Sequence, residues 1–172
     1  MVENPCQVGT LGETAVCKEL VKLGYDVFAG LGSHSKVDLI VLDESYKAFK
    51  IQVKAIKSKN ECVAVYSVKT CLNPRYNSTY STTQVDVFAV YVVDRDLVFY
   101  LTAKELLKNG KVSKFRLSEA RNGQHKNVRY VKDYLSFRKA LRDCTPHAQT
   151  ELAVGEEPVQ TTTPEMSAAS ES

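Results

Sequence analysis

The stretch VDLIVLDESYKAFKIQVKAI, residues 37–56, predicts a β-hairpin and with it the centre of the fold. Two apolar runs flank the polar segment DESYK, which is short enough for a hairpin loop. A turn centred near Ser45 places position 38 opposite position 52, so Asp38 and Gln52 share one face of the hairpin. Lys54 lies two residues further along that face, whereas the alternate positions are apolar. Three polar side chains therefore interrupt strands that otherwise suit a sheet covered on both faces.

These polar side chains suit metal-assisted cleavage of a phosphodiester bond. Mg²⁺, with Mn²⁺ as the alternative, prefers hard oxygen ligands and keeps several waters when bound. Asp38, the side-chain oxygen of Gln52 and the backbone carbonyl of Val53 would supply three such ligands. Lys54 would orient an attacking water or stabilise charge on the phosphate. The pattern predicts a metal-dependent nuclease site on this face of the hairpin.

A predicted helix over residues 10–24 carries a fourth candidate, Glu13. Gly24 stands where a C-terminal stop belongs, and apolar side chains recur before it at helical spacing, namely Val16, Leu20 and Leu23. Glu13 falls on their side of the helix, which predicts that it projects toward the sheet and assists the metal site through water or a second ion. The alternative is a capping box, in which Glu13 reaches back to the backbone of Thr10.

The remaining pattern predicts an α/β fold with a central mixed β-sheet flanked by helices. Further strands are predicted at YDVFAG (25–30), CVAVYSV (62–68), VDVFAVYVV (85–93) and LVFYLTA (97–103). VDVFAVYVV is apolar enough to be a central strand. A short helix is predicted at residues 103–110, and an amphipathic helix at residues 131–143 would close the domain through its apolar side chains Val131, Leu135 and Leu141.

Taken in order, GTLGETAV (9–16), Val37-Asp38 and QVK (52–54) resemble the motifs of the PD-(D/E)XK nuclease superfamily. Its members carry a helix glutamate, a strand aspartate and a (D/E)xK strand. With VDVFAVYVV and LVFYLTAKEL included, the chain is most similar to the homing endonucleases encoded within group I introns, whose cores resemble Holliday-junction resolvases. The resemblance implies a restriction-endonuclease/resolvase-like core, with the catalytic residues Glu13, Asp38, Gln52 and Lys54.

The sequence departs from that superfamily at two of these positions. Val37 stands where proline usually precedes the aspartate. Gln52 stands where (D/E)xK has an acid, which removes one negative charge from the metal site. An amide oxygen still coordinates a hard cation, so the resemblance implies a Mg²⁺-dependent endodeoxyribonuclease with metal ligands among Asp38, Gln52, Val53 and Glu13.

The charge distribution divides the chain into a basic domain over residues 1–143 and an acidic tail over residues 144–172. The tail is rich in Ser, Thr, Glu and Pro and is predicted to be disordered. It holds five glutamates and no Lys, Arg or Asp, so the domain carries 23 basic against 15 acidic residues. Such a domain favours a polyanionic partner.

Double-stranded DNA is the predicted partner, and the loops over residues 69–84 and 116–130 would read it through its grooves. Candidate phosphate contacts are Lys57, Lys59, Lys69, Arg75, Arg116, Arg121, Lys126 and Arg129. Candidate base or sugar contacts are Tyr76, Tyr80 and Gln124. Together they predict binding that weakens steeply with salt. Because cutting both strands takes two active sites, a homodimer or homotetramer is expected.

No apolar run approaches the roughly 18 residues of a membrane helix, and the N-terminus lacks the regions of a signal peptide. We therefore expect an intracellular protein, cytoplasmic or nucleoid-associated, that is neither secreted nor bound to a membrane. Three alternatives to a homing-type endonuclease stay open. They are a structure-selective junction resolvase, a catalytically silent DNA-binding relative in which Gln52 marks a decayed site, and a host-interaction or structural α/β protein without nucleic acid.

Overall fold

A five-stranded mixed β-sheet forms the centre of the molecule. The structure, a computed structural model, describes residues 4–30, 35–69, 78–108, 110–119 and 128–144. Its strands are β1 (Asp26–Ala29), β2 (Leu39–Leu42), β3 (Ala48–Ile56), β4 (Cys62–Tyr66), β5 (Val68–Lys69), β6 (Ser78–Thr79), β7 (Val87–Val92), β8 (Leu97–Thr102) and β9 (Val112–Arg116). Its helices are α1 (Pro5–Lys22), α2 (Ala103–Lys108) and α3 (Phe137–Asp143), with a 3₁₀ turn at Val131–Tyr134.

The central sheet has the strand order β1-β2-β3-β7-β8. β3 and β7 run parallel, and the other three pairs are antiparallel. All six residues of β7 are buried, as predicted for a central strand. The remaining strands form two small ladders, β4 with β9 and β5 with β6.

β2 and β3 form the hairpin predicted from residues 37–56. Leu39 pairs with Ile51, which is the register that a turn centred at Ser45 requires. Asp43 closes the turn, because its Oδ1 accepts hydrogen bonds from the backbone N–H and the hydroxyl of Ser45 at 2.8 and 2.7 Å. The hairpin thus places the even-numbered and odd-numbered residues of β3 on opposite faces of the sheet.

A separate hydrophobic cluster covers each face of the sheet. The first lies under α1 and α3, and its members include Val16, Leu20, Ile51, Val53 and Phe137. The second lies under the β4–β9 ladder and α2, and its members include Val65, Phe88, Phe99, Leu106 and Phe115. Gln52 pairs with Phe88 across the parallel ladder. The polar residues of β3 therefore face the second cluster, and the helix that carries Glu13 packs on the other side.

α1 begins at Pro5, earlier than the residue 10 predicted from its apolar pattern. The Asn4 side chain caps it by accepting a hydrogen bond from the Cys6 N–H at 3.0 Å, and proline suits the first helical position. The Thr10 hydroxyl lies inside the helix and donates to the Cys6 carbonyl at 3.2 Å. The capping-box alternative for Glu13 is therefore wrong, because Thr10 does not cap the helix.

Two leucines predicted to line the helices are solvent-exposed: Leu23 is 56% and Leu135 is 44% exposed. Leu23 caps the C-terminus of α1 just before Gly24, whose φ of 85° fits the predicted helix stop. Leu135 lies between the 3₁₀ turn and α3, where the predicted single helix over residues 131–143 is interrupted. Ser136 caps α3 there, and Phe137 takes the buried position.

Two predictions concern residues that the structure describes only in part. The loop over residues 69–84 begins in the ladder of β5 with β6, and residues 70–77 lie outside the described ranges. The division of the chain at residues 143 and 144 stays a prediction, since residues 145–172 also lie outside them.

Among the helices of the described ranges, none is long and apolar enough to cross a membrane.

Candidate active site

Asp38, Gln52 and Val53 meet at the point where β2 leaves β3. The Asp38 N–H donates to the Ile51 carbonyl at 2.9 Å, one residue beyond the last pair of the ladder. Asp38 Oδ2 then accepts the Val53 N–H at 2.8 Å. The same oxygen accepts a short hydrogen bond from Gln52 Nε2. This contact confirms the prediction that position 38 faces position 52.

The Gln52 amide lies between the other two candidate ligands. Its nitrogen donates to Asp38 Oδ2 and also to the Val53 carbonyl, at 3.0 Å. Gln52 is 6% exposed, and its Oε1 is buried without a hydrogen-bond partner among the described residues. Leaving such an oxygen without a partner costs about 1–3 kcal/mol. The carboxylate, the amide oxygen and the carbonyl are hard oxygen donors, so this group fits a divalent cation such as Mg²⁺.

Lys54 extends from the same face of β3 as Gln52 and is partly buried. Its Nζ donates a hydrogen bond to Tyr80 Oη at 3.0 Å. Tyr80 is 4% exposed and packs edge-on against Phe88, with ring centroids 5.1 Å apart. The sequence placed Tyr80 in a surface loop as a DNA contact. Its burial beside Lys54 does not suit that role and makes it a support of the site.

Glu13 approaches Asp38 from the helix on the other face of the sheet. Glu13 is exposed. It therefore lies at the border of the buried stripe of α1 and does not point into the sheet as predicted. Partial burial raises the pKa of Glu13, and repulsion from the Asp38 carboxylate raises it further as the smaller cause. The two carboxylates are therefore close enough to interact, although they originate from opposite faces.

Glu13→Gln is expected to stabilise the metal-free protein at neutral pH. A raised pKa means that the folded state binds the Glu13 proton more tightly than the unfolded state. The ionised carboxylate therefore destabilises the folded state above that pKa. This destabilisation disappears below the pKa of glutamate in the unfolded chain, which is about 4.3. Thermal unfolding in chelator should give the variant a higher Tm at about pH 7.5 and an equal Tm near pH 4.

Glu119→Gln is the control for this measurement. Glu119 is exposed and lies 3.5 Å from the ammonium of Lys132, so its charge has an attractive partner. Removing that charge should bring no gain in Tm at neutral pH. A Glu13→Gln variant with a Tm at or below that of the wild type at neutral pH would contradict the repulsion between Glu13 and Asp38.

Gly12 sets how closely α1 approaches β3. A Cβ at this position would lie 2.7 Å from the Cβ of Ala55, which is too close for an unshifted structure. Glycine inside a helix destabilises it by about 1 kcal/mol relative to alanine. The contact with Ala55 explains why the helix carries glycine here. Because Glu13 is the next residue, the same contact sets how closely the backbone at Glu13 approaches β3.

We expect Gly12→Ala to destabilise the protein by about 1–3 kcal/mol, since overpacking outweighs the gain in helix propensity. Gly9→Ala is the matched control in the same helix, because no atom lies within 4 Å of a Cβ built there. It should stabilise the protein by about 0.5–1 kcal/mol. Denaturant unfolding of both variants tests the contact, and an equal gain in both would show that Gly12 does not limit the packing.

Comparison with known proteins identifies the kind of protein that this arrangement belongs to. A family model described as PD-(D/E)XK endonuclease matches residues 3–137. The chain belongs to the PD-(D/E)XK endonuclease family. Among solved structures, the bacterial homing endonuclease I-Ssp6803I is similar with a TM-score of 0.61 and 22% sequence identity, covering 77% of this chain and 88% of that chain. A search of curated proteins gave no match.

These findings confirm the predicted family and the predicted α/β fold with a central mixed sheet. The likeness to I-Ssp6803I spans most of both chains and shows that the fold is shared. Membership of the PD-(D/E)XK family supports nuclease activity. Which residues would carry out that activity is inferred from the site geometry described above.

Gln52 leaves this site with one negative charge fewer than the acid of the (D/E)xK motif would give. Among the described residues, no group of three His, Cys, Asp or Glu side chains is placed to hold a metal ion. Two of the three proposed oxygen ligands are neutral, namely the Gln52 amide and the Val53 carbonyl. Asp38 alone contributes a carboxylate to that group, with Glu13 as the nearby second acid.

Apart from Tyr80, the predicted DNA contacts fall into three groups. Lys57 and Lys59 are exposed just after the end of β3, in the part of the chain that follows Lys54. Arg116 and Arg129 are partly buried, and Arg129 lies 5.0 Å from the Phe115 ring centroid with Nη1 buried and unpartnered among the described residues. Arg129 is therefore less suited to a phosphate contact. Outside the described side chains lie Lys69, Arg75, Tyr76, Arg121, Gln124 and Lys126.

Lys36 is a residue near the site that sequence reasoning missed. Its Nζ donates to the Thr79 carbonyl at 2.9 Å and to Gln84 Oε1 at 3.1 Å. Lys36 thereby links the chain just before Asp38 to the segment that carries Tyr80. Its hydrogen-bond partners lie more than forty residues away along the chain. The one local signal that could have pointed to Lys36 is therefore its position two residues before Asp38.

Proposed function

We propose that this PD-(D/E)XK endonuclease is a metal-dependent enzyme that hydrolyses phosphodiester bonds in double-stranded DNA, in the manner of a homing endonuclease. One observation carries the proposal: Asp38 Oδ2 and the Val53 carbonyl both contact the Gln52 amide through its nitrogen, and the oxygen of that amide is buried without a hydrogen-bond partner in the described part of the chain. Mg²⁺ is the proposed ion, with Mn²⁺ as the alternative. When bound, it supplies a Lewis acid that lowers the pKa of a water and neutralises charge on the phosphate.

The chain's own residues take the following roles. Asp38, Gln52 and the Val53 carbonyl would hold the ion, and the Val53 N–H orients the Asp38 carboxylate for it. Glu13, whose raised pKa favours proton uptake, would assist through water or a second ion. The Lys54 ammonium would orient the attacking water or stabilise negative charge on the scissile phosphate.

DNA binding would rest on the basic charge of residues 1–143, with exposed Lys57 and Lys59 next to the site in sequence. Phosphate contacts of this kind give affinity that falls steeply as salt rises. A homodimer or homotetramer would supply the two active sites that a cut through both strands needs, on a substrate that itself has two-fold symmetry. The loops over residues 69–84 and 116–130 would select the sequence.

The test is to incubate the purified full-length protein with a mixed library of linear duplexes and four-way junctions, with Mg²⁺ or with chelator, and to sequence the ends produced. Ends at defined duplex sites that appear only with Mg²⁺ and disappear in Asp38→Asn support the proposal. Cleavage confined to the junctions would favour a structure-selective resolvase. No cleavage by the wild-type protein in Mg²⁺ or Mn²⁺ would overturn the proposed activity.

A catalytically silent DNA-binding relative is the second candidate, and one observation favours it. The Gln52 amide already donates to both Asp38 and the Val53 carbonyl, so a neutral group occupies the space between two proposed ligands. In that case the protein would bind the library in a salt-dependent manner without cutting it, and Lys54→Ala would change nothing measurable.

A further inference from the structure

Tyr80 is buried in a stretch of sequence that is otherwise polar. It lies within STYSTTQ, residues 78–84, yet it is only 4% exposed. Its ring packs edge-on against Phe88, with an interplanar angle of 87°, and its N–H donates to the Ser67 carbonyl at 3.4 Å. A tyrosine buried in this way usually has a partner for its hydroxyl group. Here that partner is the ammonium of Lys54.

The contact between Tyr80 and Lys54 restricts a flexible side chain. Lys54 Nζ lies 3.0 Å from Tyr80 Oη and 4.7 Å from the ring centroid. A lysine ammonium is a point charge on a flexible four-carbon stem. A fixed hydrogen-bond acceptor selects one direction for it. Because a phenol is uncharged, it orients the ammonium without neutralising the positive charge that a phosphate would need.

The segment that carries Tyr80 is itself held against the sheet. Lys36 donates to the Thr79 carbonyl at 2.9 Å, and Lys50 Nζ donates to the Thr83 carbonyl at 2.7 Å. Phe88, on which Tyr80 packs, is the β7 neighbour of Gln52. The phenol oxygen is thus fixed relative to β3, the strand that presents Gln52 and Lys54, and it is not one of the proposed metal ligands.

We propose that Tyr80 is a positioning residue, which holds the Lys54 ammonium in the direction required for catalysis at the neighbouring Asp38–Gln52 site. This inference rests on the proposed nuclease function. A misplacement of about 1 Å in a catalytic group lowers rates by as much as about 100-fold. Removing the hydroxyl while keeping the ring should therefore slow the chemical step without changing DNA affinity.

The kinetic test compares Tyr80→Phe, Lys54→Ala and the double variant in single-turnover cleavage with Mg²⁺. Tyr80→Phe should cut about 10- to 100-fold more slowly than wild type with unchanged Kd for DNA. In the Lys54→Ala background the same change should have no further effect, because its target is gone. An unchanged rate in Tyr80→Phe, or the same fold-loss in both backgrounds, would overturn the positioning role.

Tyr91→Phe is the matched control. Tyr91 is also buried, and its hydroxyl donates to Asp96 Oδ1 at 2.9 Å on the face of β7 that carries α1. Tyr91→Phe loses a comparable hydrogen bond on the face of the sheet opposite Lys54. Cleavage by this variant should match the wild type. An equal slowing in both tyrosine variants would assign the effect to general loss of stability and overturn the proposal.

A second readout needs neither metal nor cleavage. In ¹³C-lysine-labelled protein with chelator, the Lys54 Cε signal, assigned by its loss in Lys54→Ala, should show two distinct methylene protons because the ammonium is held. In Tyr80→Phe these protons should become equivalent, and in Tyr91→Phe they should stay distinct. Unchanged Lys54 signals in Tyr80→Phe would overturn the inference. If the wild type cuts no DNA but these signals change, the proposed function fails while the contact stands.

Discussion

Lys54→Ala should lower DNA cleavage by about 100- to 1,000-fold, which is the range found when one preorganised donor is removed from a catalytic site. The DNA affinity should stay within about twofold, because a group that acts in the transition state contributes little to ground-state binding. Single-turnover cleavage with Mg²⁺ gives the rate. Fluorescence anisotropy with labelled duplex in chelator gives the affinity at two salt concentrations.

Lys104→Ala is the matched control for loss of one positive charge. Lys104 is exposed on α2 and takes no part in the proposed site. It should leave the cleavage rate unchanged. If Lys54→Ala cut as fast as Lys104→Ala, the cleavage would not depend on Lys54, and the catalytic role proposed for it would be wrong. A large loss of affinity with an unchanged single-turnover rate at saturation would make Lys54 a phosphate contact instead.

The hairpin was predictable from sequence because its determinants are local. A short polar loop and two alternating apolar runs fix the register, and the register places Asp38 against Gln52. The fully buried strand β7 was predictable for the same reason, since its apolar run is continuous. The family resemblance added the order of Glu13, Asp38, Gln52 and Lys54, which no composition argument supplies.

The features that sequence reasoning missed depend on contacts between distant parts of the chain. Tyr80 is buried because it contacts Lys54 and Phe88. No pattern in the sequence near residue 80 reveals these contacts. The early start of α1 was missed because the apolar stripe begins later than the Asn4 cap. The exposed position of Glu13 was missed because helical spacing alone does not fix the border of a buried stripe, which here depends on the contact between Gly12 and Ala55.

Gln52→Glu should make the stability of the fold depend on a divalent cation. In the wild-type protein the amide nitrogen donates to both Asp38 Oδ2 and the Val53 carbonyl. A glutamate places oxygen against both acceptors, removes two hydrogen bonds and adds a like charge at a position that is 6% exposed. Two lost hydrogen bonds alone correspond to about 1–3 kcal/mol. The repulsion between carboxylates adds to that cost and raises their pKa values.

At neutral pH in chelator, Gln52→Glu should therefore unfold about 5–10 °C below the wild type. Millimolar Mg²⁺ should restore most of the loss, because a cation that binds only the folded state stabilises it by mass action. Lowering the pH toward about 5 should also restore part of it, since a proton shared by the two carboxylates replaces the repulsion. The wild type should show a smaller shift with Mg²⁺, because its site carries one negative charge fewer.

Gln52→Leu separates this effect from simple disruption of the site. It removes the same hydrogen bonds without adding a charge, so its Tm should fall but should respond little to Mg²⁺ and to pH. If Gln52→Glu behaved like Gln52→Leu, no cation would bind between positions 38 and 52, and the proposed metal ligands would be wrong. If Mg²⁺ raises the Tm of Gln52→Glu but not that of Gln52→Leu, the wild-type glutamine stabilises the site in the absence of the ion. The same glutamine then lowers the affinity of the site for the ion.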